Sequence, residues 1–128
     1  MQKNNNENYG LEVIIDLHNC NSHLFTRESL EKYFIELCDL IGMNRADLHW
    51  WDDLDLPEEE KDTEPHLKGT SAIQFITTSN ITIHTLDILK NVYINLFSCK
   101  EFDPEVVKTF SANFFEGNIA SSHIIERK

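Results

Sequence analysis

The sequence predicts an α+β fold, a two-layer sandwich with a mainly antiparallel sheet and two helices on one face. Two segments repeat apolar residues at helical spacing, whereas several shorter segments alternate apolar and polar residues as strands do. Short corners join the later strand-like segments, which favours antiparallel pairing. A chain of 128 residues has the size of one domain. We therefore expect residues 10–128 to form a single domain after a disordered, asparagine-rich tail at 1–9.

The first half of the chain is predicted to run strand, helix, strand. Residues 10–17 are predicted to form the first strand, because Val13, Ile14 and Ile15 are a β-branched run, and a turn at 18–23 follows it. Thr26 suits the N-cap of a helix that stops at Gly42. A second strand is predicted at 46–51. One apolar stripe runs along the helix and comprises Leu30, Tyr33, Phe34, Leu37, Cys38 and Ile41.

An acidic loop interrupts the chain at residues 52–66. Residues 52–64 carry eight carboxylates and one lysine, together with Pro57. Such a density of like charge is expensive to bury, so we expect a solvated, mobile loop. Its functional interpretation is an electrostatic lure or lid for a cationic ligand.

The second half is predicted to be rich in strands. Strands are expected at 71–77, 81–86 and 91–98, with a corner at residues 78–80. Asp103 is the predicted cap of a second helix.

That second helix has Pro104 at its first position and should end at Gly117. An edge strand at 121–127 completes the predicted sheet. The predicted buried face of the helix consists of Val106, Val107, Phe110 and Phe114.

Composition excludes several classes of function. The formal net charge of −11 argues against nucleic acid, which requires clustered Lys and Arg. No apolar run approaches the length of a membrane span, and the first ten residues lack the apolar core of a signal peptide. Three cysteines at irregular spacing, Cys20, Cys38 and Cys99, suit free thiols in a reducing cytoplasm.

Two local patterns have both a functional and a structural interpretation. His18, Cys20 and His23 offer three metal-ligand types in six residues, but no second ligand pair accompanies them, so we predict a turn and no metal. Trp50 and Trp51 should point to opposite faces of a strand. One of them could line a pocket, although core packing is the more economical interpretation.

Ser79, His84 and Cys99 are the residues with the clearest chemical potential. They fall on neighbouring predicted strands, where we expect them to come together. A hydroxyl beside a histidine is the arrangement of nucleophilic catalysis. The residues alone favour structural roles, because no G-x-S-x-G nucleophile elbow is present.

A wider pattern gives these residues a context. The chain reads T-S-N-I-T-I-H-T-L-D-I, then F-S-C-K, then Asp103-Pro104. This resembles the prokaryotic S-adenosylmethionine decarboxylases, whose motif is E-S-H-[LI]-[ST]-I-H-T-W-P-E, followed by F-T-C-G and D-P. The G-T-S-A sequence at 69–72 is similar to the family's G-V-S-G, and His49-Trp50-Trp51 to its H-x-F. The resemblance extends over about residues 9–127.

The resemblance implies a role for each residue. Ser79 would attack the Thr78 carbonyl, and cleavage between Thr78 and Ser79 would convert Ser79 into a covalent pyruvoyl cofactor that forms a Schiff base with the substrate. His84 and Ser71 would assist the cleavage, the first as acid or base. Cys99 would donate a proton to the substrate after decarboxylation.

The resemblance also implies a substrate site, an assembly and a pathway. Trp51 would stack on the adenine of S-adenosylmethionine, and the family suggests a homodimer that acts in polyamine (spermidine) biosynthesis. The family's W-P-E reads Leu86-Asp87-Ile88 here, which leaves Asp87 as a substrate-binding candidate. Two alternatives stay open: a pyruvoyl decarboxylase of a basic amino acid such as ornithine or arginine, and an unprocessed relative that acts as a binding or regulatory protein.

Overall fold

The computed structural model of the protein describes residues 8–128. Most of the predicted tail, residues 1–7, therefore lies outside the described residues. Tyr9 lies within them, and its backbone N–H donates a hydrogen bond to the Arg127 carbonyl at 2.6 Å.

A six-stranded antiparallel sheet with two helices makes up the described fold, which confirms the predicted α+β sandwich. The strand order is β2-β3-β4-β5-β1-β6. The elements are β1 (Gly10–His18), α1 (Arg27–Leu40), β2 (Arg45–Trp51), β3 (Gly69–Ile76), β4 (Ser79–Leu86), β5 (Asn91–Ser98), α2 (Pro104–Phe115) and β6 (Asn118–Arg127).

Helix α1 begins and ends where the sequence predicts. The Thr26 hydroxyl accepts a hydrogen bond from the Ser29 backbone N–H at 3.1 Å, which satisfies one of the free donors of the first turn. After the helix, Gly42 has φ of 70°, a conformation that glycine adopts without steric cost. The apolar stripe of α1 is buried against the sheet through Leu30, Tyr33, Phe34, Leu37 and Cys38.

Helix α2 differs from the prediction in its C-terminus and in its buried face. Glu116, not Gly117, takes the left-handed conformation at the end, with φ of 56°. Gly117 is constrained instead by packing, because a Cβ there would lie 2.4 Å from the Cys20 Sγ. The fully buried positions are Val107, Ser111 and Phe115, whereas the predicted Val106 is 37% exposed and Phe110 and Phe114 are only partly buried.

Tyr33 of α1 joins the two helices at the centre of the core. It is fully buried, and its ring lies 4.9 Å from that of Phe115 and 5.7 Å from that of Phe110. Its hydroxyl forms a hydrogen bond of 2.7 Å with the Ser111 hydroxyl, so the two buried polar groups satisfy each other. Full burial of a side chain of this size contributes about 1.5–3 kcal/mol.

The opposite face of the sheet, here called the open face, is covered by neither α1 nor α2. Ile73, Phe75 and Ile125 lie there with 38%, 43% and 40% of their surface exposed. No helix in the described part of the chain is long and apolar enough to cross a membrane.

Candidate active site

The connection between β3 and β4 is a two-residue turn, tighter than the predicted corner at 78–80. Ile76 pairs with Ser79, so Thr77 and Thr78 form the turn and Ser79 opens β4. Thr78 has φ of 58°. A β-branched residue rarely adopts this left-handed conformation, which costs on the order of 1–3 kcal/mol and tends to occur at functional sites. The peptide bond predicted to be cleaved therefore follows a strained residue.

The Ser79 side chain points to the helix-covered side of the sheet and is 7% exposed. Its hydroxyl donates to the Ser98 Oγ at 2.7 Å, and that same Oγ accepts the Lys100 backbone N–H at 3.0 Å. Ser98, for which the sequence alone indicates no role, thus fixes the orientation of the Ser79 hydroxyl. Its place opposite Ser79 in the β4–β5 register is visible only once the strands are paired.

Cys99 follows β5 and lies against the turn. Its Sγ is 3.0 Å from the Thr78 Oγ1, which itself donates to the Thr77 carbonyl at 2.6 Å. A hydrogen bond with the Cys99 thiol raises the pKa of Tyr9. We call Thr78, Ser79, Ser98 and Cys99 the turn cluster.

Ser71 and His84 form a second group, on the open face. They are direct partners in the β3–β4 register, and the Ser71 Oγ lies 2.6 Å from the His84 Nδ1. Trp51 is the register partner of Ser71 on one side, and Tyr93 is that of His84 on the other. These four side chains form one row across four strands.

The two groups do not meet within one chain. Ser79 and His84 are five residues apart on β4, which corresponds to about 17 Å of extended strand. An odd spacing in a strand also points the two side chains to opposite faces. We expected Ser79, His84 and Cys99 to come together. The structure brings the Cys99 thiol to Thr78, the residue before Ser79, while the Ser79 hydroxyl contacts Ser98 and His84 lies elsewhere.

A cavity of about 550 Å³, here called the acidic pocket, lies beside the Ser71–His84 pair. One wall is the acidic loop, which contributes Glu60 and Asp62, and Trp51 closes part of the rim. Apolar contacts in this cavity come from Leu56, Leu67 and Leu86. A smaller cavity of about 250 Å³ adjoins it and shares Trp51, Ser71 and His84.

The acidic loop is mostly exposed, as the predicted solvated loop requires, but two ion pairs attach it to the rest of the fold. Asp52 accepts two hydrogen bonds from the Arg27 guanidinium, at 2.7 and 2.8 Å, and its side chain is 3% exposed. Asp53 is paired with Lys68 at 3.1 Å. Hydrogen bonds from Arg27 and Lys68 hold the pKa values of Asp52 and Asp53 below their usual range.

The other residues considered for binding or chemistry lie outside the turn cluster and the Ser71–His84 pair. Trp50 is partly buried against the core, whereas Trp51 is 81% exposed. Both line the smaller cavity, and Trp51 also lines the acidic pocket. Asp87 does not line the acidic pocket; burial raises the pKa of its carboxyl, and its Oδ1 is buried without a hydrogen-bond partner among the described residues. Burial also raises the pKa of Cys20 and of Cys38 to about 11, which makes both thiols poor nucleophiles.

No metal site emerges from the part of the chain that the structure describes. Residues 8–128 contain no group of three or more His, Cys, Asp or Glu side chains placed to hold an ion. This includes His18, Cys20 and His23, which belong to the end of β1 and the turn after it.

The six-stranded antiparallel sheet and the two helices define a class of fold, the two-layer α+β sandwich, and Ser79 opens a strand directly after a tight turn. A sequence model of the S-adenosylmethionine decarboxylase family matches residues 11–128, so the chain belongs to that family. Family membership supports decarboxylase chemistry.

A solved structure is similar to the fold over nearly its whole length. It is the crystal structure of the adenosylmethionine decarboxylase from Aquifex aeolicus VF5, with a TM-score of 0.73 and 13% identity, covering 95% of this chain and 92% of that one. At this identity the similarity establishes the fold alone. A search of curated proteins finds no match.

Proposed function

We propose that the protein is a proenzyme that cleaves itself at Thr78–Ser79 and becomes a pyruvoyl-dependent decarboxylase of S-adenosylmethionine, which serves polyamine biosynthesis. The observation that carries the proposal is the turn cluster. It combines a strained Thr78, a buried and oriented Ser79 hydroxyl, and a Cys99 thiol in contact with Thr78. Free cysteines support a reducing compartment such as the cytoplasm.

Self-cleavage would begin at the Ser79 hydroxyl. Its oxygen attacks the Thr78 carbonyl carbon, the C–N bond breaks, and an ester replaces the amide. Loss of the Ser79 α-proton then breaks the ester C–O bond and leaves a chain that ends at Thr78. Addition of water and release of ammonia complete a keto group at position 79. Relief of the strain at Thr78 favours the first step.

The residues around position 79 fit such a group. When present, it would supply a carbonyl that binds the substrate amine and accepts the electrons released with CO2. Ser98 would line its buried side, and Cys99 is placed to hold the proton that the substrate carbon receives.

A homodimer would complete the site. The Ser71–His84 pair lies about 17 Å along β4 from Ser79, so it cannot assist cleavage of its own chain. A partner sheet packed on the open face would bury Ile73 and Phe75 and could present its own Ser71–His84 pair to the turn cluster. We therefore propose that each active site takes residues from both chains.

Mass spectrometry of the denatured protein tests self-cleavage. We expect two fragments divided after Thr78, with a pyruvoyl group at the start of the second. Ser79→Ala should remain one inactive chain, while the matched change Ser22→Ala, in a surface turn, should leave cleavage unchanged. A wild-type chain that stays intact at 14.9 kDa would refute the proposal and favour an unprocessed binding or regulatory protein.

A second candidate substrate is a basic amino acid such as ornithine or arginine. The acidic pocket supports it, because Glu60 and Asp62 face a cavity that contains no lysine or arginine among its described lining residues. The family's W-P-E glutamate is also Ile88 here. CO2 release should be compared for S-adenosylmethionine, ornithine, arginine and lysine. Turnover of a basic amino acid without turnover of S-adenosylmethionine would decide for this candidate.

A further inference from the structure

A tyrosine outside the motifs lies at the turn cluster. Tyr9 precedes β1, and its backbone is held at the sheet edge by the hydrogen bond from its N–H to the Arg127 carbonyl. Its ring stacks on that of Phe97, with centroids 6.2 Å apart and planes inclined by 22°. A hydrogen bond between its hydroxyl and the Cys99 thiol is the main cause of the raised pKa of Tyr9. The ring stack and the backbone bond together fix where that hydroxyl can be.

Gly10 makes this approach possible. In the β1–β5 register Leu11 pairs with Ser98, so Gly10 meets the backbone of Cys99. A Cβ on Gly10 would lie 2.8 Å from the Cys99 Cα and 2.2 Å from the Ser98 carbonyl oxygen, distances that side-chain carbons do not tolerate. The missing side chain therefore lets β1 come close enough to place Tyr9 beside the thiol.

Counting donors gives the hydrogen bonds a direction. The Thr78 hydroxyl has one proton, which it donates to the Thr77 carbonyl, so its Oγ1 accepts from the Cys99 thiol. The thiol proton is thus directed towards Thr78, and the lone pairs of the Cys99 sulfur can accept from the Tyr9 hydroxyl. The chain of donors runs Tyr9, Cys99, Thr78 and ends at the Thr77 carbonyl.

We infer that Tyr9 is a positioning residue for Cys99: its hydroxyl holds the sulfur, directs the thiol proton towards the cleavage site and stabilises the thiolate. This inference rests on the proposed function, in which the S–H bond of Cys99 breaks, its proton passes to the substrate carbon and a thiolate is left. The Tyr9 O–H donates to that thiolate, since a hydrogen bond to the charged form favours it. Neither Tyr9 nor this role follows from the matched motifs.

The ionisation of Cys99 provides a test that does not need an active enzyme. The rate of alkylation by iodoacetamide is followed against pH in chains that carry Ser79→Ala, which are uncut whether or not the wild type cleaves itself. Cys20 and Cys38 are 4% and 1% exposed, so the reaction reports on Cys99. Adding Tyr9→Phe keeps the ring on Phe97 and removes only the hydroxyl. It should raise the midpoint of the curve of alkylation rate against pH by about one pH unit.

Ser22→Ala is the control. It also removes one hydroxyl, in the short 3-10 helix beyond the end of β1 opposite to Tyr9, and should leave the midpoint unchanged. A Tyr9→Phe shift below about 0.3 units, or an equal shift in Ser22→Ala, would overturn the inference. In chains that keep Ser79, Tyr9→Phe should lower kcat about tenfold and change KM less than about twofold. A change confined to KM would also overturn it, whereas an uncut wild type with the expected shift would refute only the proposed function.

Discussion

Two chains that are each unable to process themselves should restore cleavage when they are produced together. The first carries Ser79→Ala and keeps its histidine, and the second carries His84→Ala and keeps its serine. Loss of an acid or base typically slows a reaction by about 10²–10⁴-fold, so the second chain alone should be almost uncut. The mixture tests whether Ser79 and His84 act within one chain or between two.

The structure sets the size of the expected effect. About 17 Å of β4 and opposite side-chain directions separate Ser79 from His84, so no rotamer change joins them in one chain. In a two-fold dimer each mixed pair has one site with both groups and one site with neither. Random pairing puts half of the His84→Ala chains into mixed dimers, so about half of them should be cut.

The assay is mass spectrometry of coexpressed chains that carry tags of different mass. The control pairs His84→Ala with the double variant Ser79→Ala/His84→Ala, which forms dimers in the same way but supplies no histidine, and it should show no cleavage. If the Ser79→Ala partner rescues no more of the His84→Ala chain than this control does, the two-chain site is wrong. Decarboxylation by the mixture should reach about a quarter of the wild-type rate.

Two further predictions concern the fold. Tyr33→Phe should lower the free energy of unfolding in urea by about 1–3 kcal/mol, because it leaves the buried Ser111 hydroxyl without its partner. Adding Ser111→Ala should recover part of this loss, and strictly additive effects of the two changes would contradict the reasoning. Asp87→Asn should stabilise the fold at pH 7, since burial raises the pKa of the Asp87 carboxyl and penalises its charged form. The site is partly solvated, so the gain should be no more than about 1 kcal/mol. The gain should fade as the pH drops through the folded pKa and wild-type Asp87 takes up a proton; unfolding curves that show a growing gain at low pH would contradict this reasoning.

The helices show which parts of the fold local sequence determines. Thr26 and Gly42 bound α1 as predicted, because capping and positive φ depend on residues close in sequence. The buried face of α2 was mispredicted since Ser111, a polar residue, occupies a core position that only Tyr33 makes acceptable. Tyr33 lies 78 residues away in the chain, beyond the range of any periodicity.

In the candidate site too, local features can be predicted from the sequence, whereas contacts between distant residues cannot. The separation of Ser79 from His84 could be read from the sequence, since an odd interval in a strand puts two side chains on opposite faces. The contact of Ser79 with Ser98 could not, because it depends on the register of β4 with β5. The contact of Tyr9 with Cys99 is harder still to predict from the sequence. It requires β1 to lie beside β5, and these two strands are distant in sequence.

The acidic loop shows that ion pairs with residues outside it can anchor a segment that its charges alone would leave unattached. Like charges in sequence predict a mobile, solvated segment. Yet Arg27, on α1, holds Asp52 at one end of the loop, and its guanidinium also lies 5.7 Å from the centre of the Trp50 ring. Lys68 holds Asp53. Held in this way, the loop forms a wall of the acidic pocket and contributes the carboxylates of Glu60 and Asp62 to it. Carboxylates that line a cleft favour a cation over an anion there.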